Sequence, residues 1–300
     1  MRMRIASLLA LGASIVLLAF SGSAGAITKG VYDGTGHPYV AYLDNGVFSC
    51  SGTLLSSTVL LTAAHCFSDR PSAYGANTST QAPLVRVSFN PNLANTPADQ
   101  NVWWWGSYYW DPDFAVAAGG GLPGFDTHDV AVVILTPTGC VVPAGRRGTN
   151  TCGPVPTSPT SGTYGALPQR NRVDSLPNNT PIDIVGFGTQ NFLNGGGPCG
   201  GSCKKIEGDA FTRFYAQTTL IASSDRISDE FLKLHANKGG VCTGDSGGPD
   251  LLGGTNVVLA VNSFGNGTSC QSNGYSYRVD TAQAQAWIAA TIAAHGASIP

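Results

Sequence analysis

Apolar residues gather in short runs along most of this chain rather than recurring at helical spacing. Thr58–Ala64, Val85–Phe89, Val130–Leu135, Ile182–Val185 and Asn256–Val261 are rich in β-branched and apolar side chains, and Gly, Pro, Asn or Ser separates most of them. β-Branched side chains are stiff and pack well on a pleated surface. Many short strands without interleaved helical patterns predict an all-β sandwich or barrel. One segment departs from this. Over residues 281–295, Trp287, Ile288 and Ile292 recur at helical spacing behind Asp280, a candidate N-cap. A single terminal helix is expected there.

Two other stretches break the pattern. Thr136–Pro168 is dense in Pro, Gly, Thr and Ser, the composition of a linker between two strand-rich halves. Trp103, Trp104, Trp105, Tyr108, Tyr109 and Trp110 crowd together. They read either as a hydrophobic cluster pinning a long loop or as an aromatic wall beside a cleft.

The N-terminus reads as an address. Arg2 and Arg4 precede an apolar stretch from Ile5 to Phe20, and Ala24 and Ala26 supply an A-x-A pattern. These are the parts of a secretory signal peptide cut after Ala26, and no later segment is long and apolar enough to span a bilayer. Residues 1–26 are therefore expected to be a leader and 27–300 the mature, secreted protein. The chain has 300 residues, 11% charged and 42% hydrophobic, with 39 Gly, 18 Pro and a net charge of −2. This composition excludes a disordered or coiled-coil protein, and the charge gives no support for a nucleic-acid partner. Eight cysteines in a secreted chain suggest four disulfides, whose connectivity spacing cannot fix. Cys199 and Cys203 have plausible zinc spacing, but no second Cys or His pair lies near them, so no metal is expected.

Three short motifs carry chemistry. Thr243-Gly244-Asp245-Ser246-Gly247-Gly248-Pro249 sets a serine in a glycine turn, where backbone N–H groups can face outward. Serine needs a base to act as a nucleophile. Leu61-Thr62-Ala63-Ala64-His65-Cys66 offers one, and His128-Asp129-Val130 puts an acid at the head of an apolar strand. Alone, each could be a turn, a structural histidine and a strand cap. Together they stand in the order His, Asp, Ser, which differs from the subtilisin and α/β-hydrolase orders.

From about Ile27 to His295 the chain resembles secreted serine peptidases of the chymotrypsin/trypsin family, chiefly through Ala-Ala-His65-Cys66 and Gly244-Asp245-Ser246-Gly247-Gly248-Pro249. The resemblance implies two antiparallel six-stranded β-barrels with a C-terminal helix. The first barrel would span about 27–140, a linker 141–168, the second barrel 169–280 and the helix 281–295. It implies Ser246 as nucleophile, His65 as general base and Asp129 as the acid that orients it, with Asp126 a rival three residues away. The N–H groups of Gly244 and Ser246 would form the oxyanion hole, and Ser263 would open a strand that pairs with extended substrate.

The resemblance also implies the disulfides Cys50–Cys66 and Cys242–Cys270, leaving Cys140–Cys152 and Cys199–Cys203 as local pairs. Gly240 and Val241 would floor the specificity pocket and Gly265 and Gly274 would wall it. No acid stands there for a Lys or Arg, so large apolar or aromatic residues are expected before the cut, or smaller aliphatic ones if Val241 narrows the base. The family's activation pair would be the freed amine of Ile27 with Asp245. Asp250 departs from the family, which usually has an apolar residue there. No cofactor is implied. The expected partners are polypeptide substrates and protein inhibitors, with no membrane after cleavage and a monomeric state. The competing reading is an inactive homologue serving as a secreted binding or adhesion module; a third, an esterase, lacks its characteristic nucleophile elbow. Sequons at Asn77, Asn178 and Asn266 matter only in a glycosylating host.

Overall fold

In the computed structural model the described residues are 27, 30–68, 70–97, 100–114, 128–141, 151–154, 163–194, 204–209, 211–222, 229–235, 240–265 and 273–300. The leader, Asp126, Cys199, Cys203, Cys270 and the Asn266 sequon lie outside them.

Sixteen strands and one α-helix are present among these residues. After β1 (Val31–Tyr32), the first barrel is built from β2 (Val40–Asp44), β3 (Ser49–Leu54), β4 (Val59–Thr62), β5 (Leu84–Ser88), β6 (Val102–Trp110) and β7 (Ala131–Val141). They pair antiparallel in the order β4-β3-β2-β5-β6-β7, and β4 pairs back onto β7 to close the ring. Closure removes both sheet edges. A further strand, β8 (Thr151–Pro154), adds to β7. It lies within the stretch expected as linker. Its register sets Cys152 opposite Cys140, the pair expected to bond.

The second barrel comprises β9 (Pro181–Gly186), β12 (Phe214–Ala222), β13 (Phe231–Leu234), β14 (Pro249–Leu252), β15 (Val258–Gly265) and β16 (Gly274–Arg278). The order β12-β13-β16-β15-β14-β9 closes through β12–β9, with β1 appended to β12. Between them, β10 (Thr189–Asn194) and β11 (Lys204–Asp209) form a separate hairpin. The chain is thus two closed six-stranded antiparallel barrels followed by a helix, as the resemblance implied.

That helix, α1 (Ala282–Ala294), buries Ala284, Ile288 and Ile292. Its N-cap is Thr281, whose hydroxyl accepts from Ala284 N at 3.2 Å, rather than Asp280. Asp280 is fully buried and committed elsewhere, accepting from Arg278 and from Val173 N. No helix among the described residues is long and apolar enough to cross a membrane.

The aromatic crowd is not a loop cluster but β6. In a strand successive side chains take opposite faces, so one run serves several partners. Trp104 meets Phe89, Trp103 meets Tyr42, and Tyr108 meets Phe67. Between the barrels, the buried Arg213 donates to Asp33 Oδ2 at 2.7 Å and to the carbonyls of Gly34, Val40 and Phe89. Its charge is neutralised and its donors used, so burying it is tolerated.

Cys50 and Cys66 are disulfide-bonded across 16 residues. A loop of that size is worth about 3 kcal/mol in the chain-entropy treatment. Cys50→Ala/Cys66→Ala is expected to lose about that much stability in urea unfolding; an unchanged midpoint would refute it.

Candidate active site

β4 ends at Thr62, and the chain turns through a short 3-10 segment, Ala64–Cys66, that carries His65. This turn is held from below. The buried Tyr108 hydroxyl lies 2.7 Å from both the Ala63 and Ala64 carbonyls, sharing its proton between them. The disulfide holds the far side.

Asp129 enters from the opposite strand. His65 Nδ1 lies 2.8 Å from Asp129 Oδ2, and His65 N donates to Asp129 Oδ1 at 2.9 Å. Two contacts from one residue fix both position and ring orientation. Ser263 Oγ also donates to Asp129 Oδ2. The Asp129 side chain is 2% exposed and that of His65 29%, so one ring edge reaches solvent. Burial raises the Asp129 pKa, but the His65 charge, its hydrogen bonds and the Ser263 hydroxyl together bring it below the ordinary carboxylate value. Burial lowers that of His65, and the Asp129 charge and hydrogen bond outweigh it, leaving His65 above the ordinary 6.5. The residue before the acid, His128, has a left-handed φ of 42°. Its ring lies 3.2 Å from Asp111 Oδ2 and 3.1 Å from Gln283 Nε2, so α1 of the chain's end touches the neighbour of Asp129.

Ser246 comes from the turn before β14. Ser51 N donates to its carbonyl at 2.8 Å, and Cys66 Sγ lies 3.8 Å from the same oxygen. These contacts fasten the serine backbone beside the residue that follows His65. Among the described residues the Ser246 hydroxyl has no hydrogen-bond partner, His65 included; without substrate such contacts are commonly long. Gly247 has φ +75°, and a Cβ there would strike Thr62 Oγ1. Gly244 has φ +96°, and a Cβ would fall 2.8 Å from Gly188 Cα. Only glycine suits both positions. Neither Gly244 N nor Ser246 N is used by a partner among the described residues, which leaves both free to stabilise an oxyanion.

Two residues with no role expected here brace the two turns of the site, Ser51 that of Ser246 and Tyr108 that of His65. Ser51, fully buried on β3, donates to Gly244 O at 2.9 Å and accepts from Phe187 N at 3.0 Å. Tyr108 holds the histidine turn. Neither has a local sequence signal, because both act across 44 residues or more.

Asp245 is fully buried, accepting from Gly188 N at 2.8 Å and Cys242 N at 2.9 Å. Burial pushes its pKa up to about 7 despite these bonds. Ile27 is fully buried among aliphatic residues of the second barrel, and the structure forms no ion pair between it and Asp245 in the uncut chain. At the expected pocket, Gly265 stands opposite Gly274 across β15–β16, and a Cβ on Gly274 would lie 3.2 Å from Val241 Cγ2. Gly240 precedes Val241 and is buried. Cys242 is disulfide-bonded; its expected partner, Cys270, lies outside the described residues.

Asp250 on β14 is fully buried, and among the described residues neither carboxylate oxygen has a hydrogen-bond partner. Burial is the main cause that raises its pKa from 3.8 to about 7. The folded state therefore holds a proton that the unfolded chain releases above about pH 4. That contribution is full below the unfolded value and is lost as pH rises through about 7. Asp250→Leu is expected to gain on wild type by on the order of 4 kcal/mol between pH 4 and pH 8. Paired unfolding curves test this, and a pH-independent difference would refute it.

Among the described residues, two groups each bring three metal-ligating atoms within 4.8 Å of one another. Cys50, Cys66 and His65 are ruled out because the cysteines are bonded to each other. In Asp111, Asp113 and His128, the His128–Asp111 pair already accounts for the contact. We assign no metal to either.

A sequence profile described as Trypsin matches residues 29–288. Among solved structures, 541 chains match. One is human heparin binding protein, with a TM-score of 0.57 and 17% identity, covering 90% of this chain and 99% of that one. Identity this low bears on the fold alone. No curated protein matches the chain.

Proposed function

The chain belongs to the trypsin family, and from that premise we propose that it is a secreted serine endopeptidase acting through an acyl-enzyme. Ser246 Oγ attacks the scissile carbonyl while His65 Nε2 takes its proton. Asp129 holds Nδ1 protonated and stabilises the imidazolium. The Gly244 and Ser246 N–H groups receive the oxyanion, and His65 returns the proton to the leaving amine. Water then repeats the sequence to release the acid. The edge from Ser263 to Gly265 pairs with extended substrate backbone, and the glycine-walled slot takes a large apolar or aromatic side chain.

The observation that carries this reading is the double contact of His65 with Asp129, backed by Ser263, beside two unused N–H groups. Cutting after Ala26 would free the Ile27 amine, the cation that buried Asp245 lacks. The alternative, an inactive binding module, gains no support from charge. A net −2 offers no bulk attraction to a polyanion such as heparin. Labelling the secreted protein with a fluorophosphonate, read by intact mass, tests the proposal. One adduct on protein starting at Ile27 is expected. No adduct on such protein would give the binding module the better claim, and no adduct on a longer form would mean a precursor awaiting another cut.

A further inference from the structure

The interior of the second barrel is aliphatic, filled by Ile182, Ile184, Leu220, Leu232, Leu234 and their neighbours. One short polar row interrupts it. Across β14, β15 and β16 the register sets Asp250 opposite Ala260, Asn262 opposite Ser276, and Gly265 opposite Gly274. Residues directly opposite share a face, and the period of two carries that face along each strand. Asp250, Asn262, Ser276 and Gly274 therefore project to the same side, that of Ile184, which pairs with Asp250 on β9. At one end of the row Gly274 stands against Val241, in the slot assigned to substrate. At the other lies Asp250.

Asp250 and Ser276 are fully buried and Asn262 is 1% exposed; Arg278, on the same face opposite Ala260, is committed to Asp174 and Asp280. Ser276 Oγ donates to Asn262 Oδ1 at 3.3 Å, and Asn262 Nδ2 donates to Asp245 O at 3.3 Å. Neither oxygen of Asp250 receives a hydrogen bond. Buried acceptors are nearly always satisfied, because their desolvation otherwise goes uncompensated. Among the described residues no hydrogen bond reaches this carboxylate, which stands in the same row as the pocket wall.

We propose that Asp250, with Ser276 and Asn262, is the polar end of the specificity pocket and selects a large side chain whose tip donates a hydrogen bond, the phenol of tyrosine first. The inference rests on the peptidase reading and sharpens its apolar-or-aromatic preference. Gly240, Gly265 and Gly274 put no side chain into the slot, Val241 gives it an apolar side, and the hydroxyl of a ring seated there would point along the row, to Ser276 and Asn262 first and Asp250 behind them. A site that offers an unpaired acceptor rejects the analogue without the donor more strongly than a greasy slot rejects a methylene. A hydrogen bond to this acceptor in its charged form, held above about pH 7, corresponds to about 10- to 100-fold.

The test compares peptide p-nitroanilides identical except in the last residue: Tyr, Phe, O-methyltyrosine, Lys and norleucine. Tyr should exceed Phe and O-methyltyrosine in kcat/KM by about tenfold or more. The Tyr-to-Phe ratio should fall to near one in Asp250→Leu and to an intermediate value in Ser276→Ala. Asp250→Asn, which keeps the shape and removes the charge, gives a second reading if the leucine variant does not fold. Lys exceeding both Tyr and norleucine, with the same collapse in the variants, would identify an ammonium as the donor at the same acceptor. A Tyr-to-Phe ratio near one together with a Lys-to-norleucine ratio near one would overturn the proposal, as would ratios that survive Asp250→Leu.

A second measurement needs no catalysis. p-Cresol should raise the Tm of wild type more than toluene does, and this difference should vanish in Asp250→Leu. If fluorophosphonate labelling of protein starting at Ile27 fails while p-cresol still discriminates, the peptidase reading falls and the polar pocket stands. If labelling succeeds and p-cresol does not discriminate, only the polar pocket falls.

Discussion

Replacing Ser246 by alanine is expected to lower kcat on a peptide anilide by about 10⁶-fold, the loss typical when the nucleophile of such a triad is removed. What remains should still exceed water by about 10³ to 10⁴, from substrate binding and the Gly244 and Ser246 N–H groups, which the substitution leaves in place. His65→Ala should cost a similar factor. The double variant should cost little more, because nucleophile and base act in one step and cannot be lost twice. Steady-state kinetics with the fluorophosphonate adduct as a parallel readout checks this. Turnover or labelling that persists in Ser246→Ala would place the nucleophile elsewhere.

The second large effect is that of Asp129→Asn, with an expected loss of about 10⁴ in kcat. The carboxylate accepts from His65 N, and with Nδ1 donating to it as well the neutral ring has Nε2 unprotonated, the atom the proposed mechanism uses as base. An asparagine of the same shape can present its N–H₂ to the ring and stabilise the wrong tautomer. The pH profile gives a readout that lost packing would not imitate. His65 lies above the ordinary 6.5 because of Asp129, so wild-type kcat/KM should rise through a midpoint above that value. In Asp129→Asn the charge is gone and burial remains, so the midpoint should move down. A variant that keeps both midpoint and rate would transfer the role to Asp126.

Asp250 illustrates how sequence and structure divided the information. Its oddity was visible in the chain, since a charged residue followed Gly247-Gly248-Pro249 where an apolar strand was expected. Its meaning was not, because the residues that share its face, Asn262 and Ser276, belong to other strands and are brought there by register. The aromatic run at 103–110 shows the reverse. Its hydrophobicity was obvious, but only pairing with β5 and β7 made it a strand and turned Tyr108 toward the histidine turn.

By itself the sequence determined the strand-rich class, the terminal helix and the triad candidates in their order. These are local matters. A glycine turn needs consecutive residues with special φ, and a strand needs a run of suitable side chains. Tertiary structure alone decided that Thr281 caps the helix, that β8 extends the first barrel, and that Ser51 braces the turn at Gly244. It also decided that no hydrogen bond reaches Asp250 from the described residues. Each depends on which strands close against which, and a one-residue slip in that register would send every one of these side chains to the opposite face.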